Sequence, residues 1–151
     1  MKRQKHERTA LMCATDILAR QENSENRLRQ KLTQRGYAEE EIENALDKLK
    51  ERNYLNDERA CARQFEILYD GSASIRQITA KLINRGFELA LIENCIPDNS
   101  DEYEQAAALK VLKVKFKNPA DNQKMWQHLA AKGFEFDAMT FAIEKFNDEF
   151  E

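Results

Sequence analysis

The chain has 151 residues, 34% of them charged, with only four glycines and two prolines and a formal net charge of −3. This composition is typical of long solvated helices rather than of a sheet protein or a disordered chain, and the net acidity argues against coating of naked DNA through charge alone. No run of 18 apolar residues occurs, and the basic first residues lack the apolar segment of a secretory signal, so we expect a cytoplasmic protein without a membrane span.

The first predicted elements form a group of three helices. Apolar residues at helical spacing predict a helix over residues 9–21, and Asn23 and Ser24 separate it from the next helix, which they cap. Gly36 ends that second helix. Three glutamates at residues 39–41 then place negative charge in the first turn of a third helix, as the helix dipole favours.

The same order of helices follows twice more along the chain. The second group opens with a helix capped by Asn56 or Asp57. The third group opens with a long helix that is capped by Ser100 or Asp101 and stopped by Pro119. No alternation of apolar and polar residues predicts a strand.

One short motif, a cationic residue followed by glycine and an aromatic residue, closes the second helix of every group. Its glycines are 50 and 47 residues apart. Glycine adopts the left-handed conformation that ends a helix without the steric cost of a Cβ, and the aromatic side chain can fold back onto the helix. We interpret six residues as structural repeat turns: Gly36, Tyr37, Gly86, Phe87, Gly133 and Phe134.

These patterns predict an all-α fold of three tandem three-helix repeats that form a short curved, solenoid-like array. A basic N-terminal tail at residues 1–8 precedes repeats at residues 9–52, 53–98 and 99–151. A single unit of this size buries little apolar surface alone, so we expect neighbouring repeats to share a core.

The sequence offers no constellation of residues for catalysis. The two histidines, His6 and His128, are far apart, and no Cys or His pair has the spacing of metal ligands. The three cysteines, Cys13, Cys61 and Cys95, lie at apolar helical positions, and we interpret them as reduced core residues of a cytoplasmic protein. We expect a binding protein rather than an enzyme, with no metal and no cofactor.

Cationic residues recur on the predicted middle helices of the first two repeats and on the long first helix of the third. Each lysine taken alone is more simply explained as part of a solvated helix face, but the repetition favours a surface that binds a partner. The candidate partner-binding residues are Arg27, Lys31, Arg35, Arg76, Lys81, Arg85, Lys110, Lys113 and Lys117.

Two stretches of the chain carry distinctive motifs, one from Asn23 to Gly36 and the other at Tyr54-Leu55-Asn56-Asp57. They resemble the first-repeat signature and the phrase that opens the second repeat in the RecX family of regulatory proteins. The resemblance continues at residues 76–86, 106–119 and 132–134, and it covers the chain from about Ala10 to Phe146.

The resemblance implies a regulator, mainly an inhibitor, of the RecA recombinase, with a place in DNA repair, homologous recombination and the SOS response. It implies a monomer that binds in the groove of the RecA filament on single-stranded DNA and restrains ATP hydrolysis, strand exchange and co-protease activity. The nine cationic residues would contact the filament or the DNA backbone. The loop at residues 66–74 is acidic where the family is commonly basic, so we expect contact with DNA to be weak or indirect.

Two other classes of function stay open from the residues alone. A helical-repeat adaptor would bind another cytoplasmic protein and leave recombinase activity unchanged. A helix pair joined by a tight glycine turn also fits helix-turn-helix DNA readers, although the net acidity argues against this class. Trp126 either packs between repeats or anchors a partner.

Overall fold

The described part of the computed structural model, residues 8–119 and 121–150, contains nine α-helices. Their bounds are α1 (Ala10–Arg20), α2 (Glu25–Gln34), α3 (Glu39–Glu51), α4 (Asp57–Leu68), α5 (Ile75–Asn84), α6 (Leu89–Cys95), α7 (Ser100–Lys115), α8 (Asn122–Ala131) and α9 (Phe136–Asp148). No strand occurs in these two ranges, and the prediction of an all-α fold is confirmed. The predicted basic tail lies outside the described residues except for Arg8, which forms an ion pair with Asp16.

The helices pack in threes, and each group encloses its own apolar core. We call α1–α3 repeat 1, α4–α6 repeat 2 and α7–α9 repeat 3. The expectation that neighbouring repeats share a core is wrong, because the buried apolar residues form three separate clusters. In each repeat the first and third helices pack against each other, and the second helix packs against both. Leu55, within the predicted second repeat, belongs to the first core.

The starts of the helices show one error of prediction. Ser24 and Asn56 cap α2 and α4, and each side chain accepts a hydrogen bond from a backbone N–H three residues further on. The predicted cap of α7 at Ser100 or Asp101 is wrong, because Asn99 precedes the helix without a side-chain cap and Ser100 is its first residue. The N–H of Ser100 already donates to the carbonyl three residues earlier in a turn that leads into the helix.

The second helix of each repeat ends in a left-handed glycine. Gly36, Gly86 and Gly133 have φ angles of +87°, +93° and +85°. The N–H groups of the glycine and of the following aromatic residue donate to carbonyls three and five residues earlier, which is the Schellman arrangement. The aromatic residue of each turn is buried in the core of its repeat.

Trp126 contributes to the third repeat. Its half-buried ring packs against the core of its own repeat and lies edge-to-face with Phe136, with ring centroids 5.1 Å apart. The side chain therefore stabilises repeat 3 rather than a contact between repeats. No helix among the residues that the structure describes has the length and apolarity needed to cross a membrane.

Candidate functional site

Repeats 1 and 2 are joined by hydrogen bonds at the start of α2. The Ser24 hydroxyl donates to the backbone carbonyl of Arg85 at 2.6 Å and accepts from the backbone N–H of Arg27 at 3.1 Å. The carboxylate of Asp57 accepts from the N–H of Glu25 at 2.8 Å. Two of the free N–H groups in the first turn of α2 are therefore satisfied, one by the helix's own cap and one by repeat 2.

Repeats 2 and 3 are joined in the same way at the start of α5. The Ser74 hydroxyl donates to the carbonyl of Lys132 at 2.7 Å and accepts from the N–H of Gln77 at 3.1 Å. The carboxylate of Glu104 accepts from the N–H of Ile75 at 2.8 Å. We call this set of hydrogen bonds the junction clasp, and we call the two places where it occurs the first and the second junction.

The sequence carried a signal for the clasp that the prediction missed. Ser24 and Ser74 are 50 residues apart, and Asp57 and Glu104 are 47 residues apart. These are the same two spacings that separate the glycines of the turns. Both serines were open to interpretation as ordinary helix caps, so their contacts with the next repeat became visible only in the structure.

The glycines of the second and third turns, Gly86 and Gly133, each lie against the clasp of the preceding repeat. A Cβ added to Gly86 would lie 2.5 Å from the Ser24 hydroxyl oxygen and 3.3 Å from the backbone nitrogen of Arg27. A Cβ added to Gly133 would lie 3.1 Å from the Ser74 hydroxyl oxygen. Close approach to the clasp, besides the backbone conformation, therefore requires glycine at residue 86, whereas the side-chain atoms beside Gly133 can shift slightly.

The two carboxyl groups of the clasps are partly removed from water. Burial raises the pKa of Asp57 and the pKa of Glu104 above their ordinary values, although the backbone N–H that each accepts acts in the opposite direction. Glu104 is only 5% exposed. These carboxyl groups bind protons more readily in the folded chain than in the unfolded chain.

Cationic side chains line a small cleft beside the clasp at the first junction. Arg27, Lys31 and Arg85 border a cavity of about 180 Å³. The Lys31 ammonium donates to the side-chain oxygen of Asn23 at 2.8 Å, and the Arg85 guanidinium donates to that of Gln64 at 2.9 Å. The structure brings three of the nine predicted cations together here, and neighbouring amide groups hold two of them.

A larger cleft lies at the equivalent place in the second junction. Lys81 and Lys110 line a cavity of about 510 Å³ together with Lys115, Lys132 and His128, which the sequence prediction missed. Burial lowers the pKa of His128, and the charges of Lys115 and Lys132 lower it further. Lys132 is the cationic residue of the third glycine turn, so its place in the cleft could have been predicted from the repeated turn motif.

The other four predicted cations lie apart from the two clefts. Arg35 donates to a cysteine sulfur of α1 at 2.9 Å, and Arg76 packs its alkyl chain beside Gly133. Lys113 forms a 2.9 Å ion pair with Glu149, just beyond the end of α9, and Lys117 is exposed beyond the end of α7. Across residues 8–119 and 121–150, no group of three or more His, Cys, Asp or Glu side chains could hold a metal ion.

Comparison with known proteins agrees with the resemblance seen in the sequence. The model of the first three-helix domain of RecX matches residues 10–49. The chain is 37% identical over 140 residues to the regulatory protein RecX of Neisseria gonorrhoeae (strain NCCP11945), and the match covers 90% of each protein. It is 28% identical over 134 residues to that of Vibrio vulnificus (strain CMCP6), covering 86% of this chain and 88% of the other.

The fold is also similar to that of a solved structure. The crystal structure of RecX from Lactobacillus salivarius superimposes with a TM-score of 0.74 at 18% sequence identity. The superposition covers 91% of this chain and 94% of the other. At this level of identity the likeness concerns the fold.

Proposed function

The chain belongs to the RecX family of regulatory proteins, and we propose that it regulates the RecA recombinase. In this proposal it binds in the groove of the RecA filament on single-stranded DNA. Binding there restrains ATP hydrolysis, strand exchange and co-protease activity. The chain acts by binding and catalyses no reaction itself.

The observation that carries the proposal is the recurrence of cationic side chains at two equivalent junctions. The first junction presents Arg27, Lys31 and Arg85, and the second presents Lys81 and Lys110. A filament of identical subunits offers its surface at regular intervals, and an array of similar repeats is suited to meet such a surface. The clasps fix the spacing between the two sets of cations.

The cationic residue of a glycine turn takes part in both the junction clasp and the proposed binding surface. Arg85 contributes its backbone carbonyl to the clasp, and its side chain lies in the cleft. Lys132 does the same at the second junction. Because a carbonyl is available from any residue, the clasp leaves the choice of side chain free for recognition of a partner.

The proposed surface acts through many weak contacts rather than one strong contact. An exposed ion pair contributes about 0–1 kcal/mol, so a single cation adds little by itself. Several of them along one interface make the affinity depend on salt concentration. The cations that lie apart from the clefts, Arg35, Arg76, Lys113 and Lys117, belong to the outer part of the proposed surface.

Charge reversal on α2 tests the proposal. The double substitution Arg27→Glu and Lys31→Glu should weaken binding to RecA filaments on single-stranded DNA about tenfold or more, since two favourable ion pairs become repulsive. The matched control is Lys48→Glu with Arg52→Glu, which reverses two exposed charges at the same spacing on and just beyond α3.

The measurement is filament binding at low salt, followed by fluorescence anisotropy of a label on this chain, with far-ultraviolet circular dichroism to check helicity. We expect the control to bind within about twofold of the unchanged chain, as its charges lie away from the clefts. Undiminished binding of the α2 variant, with its helicity intact, would contradict the assignment of this surface.

A further inference from the structure

The cleft at the second junction has the size and the lining of a site for a small anion. Its volume of about 510 Å³ lies within the range of pockets that hold small molecules. Four ammonium groups border it, from Lys81, Lys110, Lys115 and Lys132. They come from two helices, α5 and α7, and from the turn after α8, in two repeats. The cleft therefore depends on the folded junction and not on a single helix face.

These ammonium groups are uncommitted in the described part of the chain. None of the four forms an ion pair with a carboxylate there, whereas Lys113 on the same helix is paired with Glu149. One carboxylate, that of Asp70, lines the cleft. Hydrogen bonds from the hydroxyl and the N–H of Ser72 lower the pKa of Asp70, and the charge of Lys110 lowers it further. The carboxylate therefore stays ionised and already has hydrogen-bond donors of its own.

The positive charge is therefore in excess at this one place. Four cations against one carboxylate leave a charge that a ligand with several negative charges would balance. Burial lowers the pKa of His128, and the charges of Lys115 and Lys132 beside it lower that pKa further. An opposite charge bound in the cleft would raise that pKa again.

Part of the remaining lining is apolar. Leu68, Val111 and Val114 form part of the wall, and Val114 is 72% exposed. A ligand that joins a polyanionic group to a less polar part would find a counterpart for each in this cleft.

The first junction shows why a small ligand fits the observations better than a polymer. There the equivalent cleft has a volume of about 180 Å³, and its Lys31 and Arg85 already donate to side-chain oxygens of Asn23 and Gln64. A nucleic-acid strand that followed the array would need similar lining at both junctions. The uncommitted charge and the larger volume are instead concentrated at the second junction.

We propose that the cleft at the second junction binds a small ligand with a condensed phosphate chain, the chemical class to which nucleoside triphosphates belong. The ammonium groups of Lys81, Lys110, Lys115 and Lys132 hold the phosphate oxygens, and the apolar wall faces the rest of the ligand. The isolated chain binds this ligand in the absence of RecA. Because Lys81 and Lys110 are also part of the proposed RecA surface, the bound ligand and the filament should compete for them.

The test is a titration of the full chain with sodium tripolyphosphate at low salt, followed by NMR of the imidazole of His128. The substitution His6→Gln leaves His128 as the single histidine, so its signal is assigned directly. We expect a saturable shift, a rise in the pKa of His128, and competition by ATP for the same site.

A pair of matched variants tests the location. Lys110→Gln with Lys115→Gln removes two lining charges and should weaken tripolyphosphate binding about tenfold or more, since each ammonium makes charge-assisted contacts to phosphate. Lys117→Gln with Lys124→Gln removes two exposed charges outside the cleft and should change binding less than about twofold, because exposed charges at a distance are screened.

Three outcomes would overturn the proposal. The first is a shift of His128 that does not saturate, and the second is equal weakening by both double variants, since either one indicates diffuse attraction. The third is a shift produced by a short single-stranded oligonucleotide but not by tripolyphosphate, which would assign the cleft to nucleic acid.

Discussion

The two junctions of this protein share one set of backbone-directed hydrogen bonds and differ in the side chains around it. At the first junction, Glu22 of repeat 1 forms ion pairs with Arg59 and Arg63 of repeat 2. At the second, Tyr103 of repeat 3 stacks on Tyr69 with ring centroids 3.7 Å apart and donates to a carbonyl of repeat 2 at 2.8 Å. The clasp is the same, but one junction is closed by charges and the other by aromatic rings.

This difference shows which parts of a repeat junction are free to change. The clasp uses two side chains, a serine and a carboxylate, and otherwise backbone groups, so it constrains few positions. The walls beside it can exchange ion pairs for aromatic rings without altering how the repeats are joined. With these different side chains, the cleft at the second junction is almost three times as large as the cleft at the first, and lysines line it.

The largest expected effect comes from adding a Cβ at the turn glycines. Gly86→Ala should lower the free energy of unfolding by roughly 2–4 kcal/mol, from the left-handed conformation plus the loss of the Ser24 cap. Gly133→Ala should cost only about 1–2 kcal/mol, because its nearest neighbours are side-chain atoms 3.1 Å or more away that can shift slightly. Urea denaturation of both variants gives the comparison.

Gly71→Ala is the matched control for those two substitutions. Gly71 has a φ of +96°, but a Cβ there would meet only the Lys110 nitrogen at 3.8 Å. The decrease in the free energy of unfolding caused by Gly71→Ala therefore measures the cost of the left-handed backbone conformation alone. If Gly86→Ala proves no more costly than Gly71→Ala, the close approach of Gly86 to the clasp has no energetic importance.

A smaller effect should appear in the dependence of stability on pH. A carboxyl group with a raised pKa in the folded state binds its proton more tightly there than in the unfolded chain. Its contribution is therefore present below the ordinary pKa of about 4 and is lost as the pH rises through the raised value. Glu104→Gln should remove this part of the pH dependence while keeping an acceptor for the N–H of Ile75.

The measurement is the free energy of unfolding at several pH values between mildly acidic and neutral. Glu102→Gln, an exposed change on the same helix, is the control and should leave the slope unaltered. Asp57→Asn gives the corresponding value for the first junction, where burial also raises the carboxyl pKa. A slope that Glu104→Gln leaves unchanged would mean that this carboxyl titrates alike in the folded and unfolded chains.

The all-helical repeat fold was predictable because its signals are local. Apolar residues at helical spacing and the recurring glycine turns at Gly36, Gly86 and Gly133 fixed the order of the helices. The family was also predictable, and the comparison with the relatives in Neisseria and Vibrio confirms it. The expected shared core was wrong because three helices suffice to enclose a core within each repeat.

The junctions were harder to predict because their contacts join distant residues, 61 positions apart for Ser24 and Arg85 and 32 positions apart for Glu25 and Asp57. The same serine can cap a helix and donate a hydrogen bond to the next repeat. The amino-acid sequence alone therefore does not distinguish these two roles. The clefts were missed for a similar reason. Lys81 and Lys115 belong to different repeats, and only the folded junction brings them together.

The most direct test of the central claim is a titration of the chain into RecA on single-stranded DNA while ATP hydrolysis is measured. The account predicts that hydrolysis falls at well below one molecule of this chain per RecA, and that the variant with Arg27→Glu and Lys31→Glu loses this effect while Lys48→Glu with Arg52→Glu retains it. Undiminished hydrolysis at a stoichiometric excess of the unchanged chain would contradict the proposed function and leave the repeat fold and its clasps as they stand.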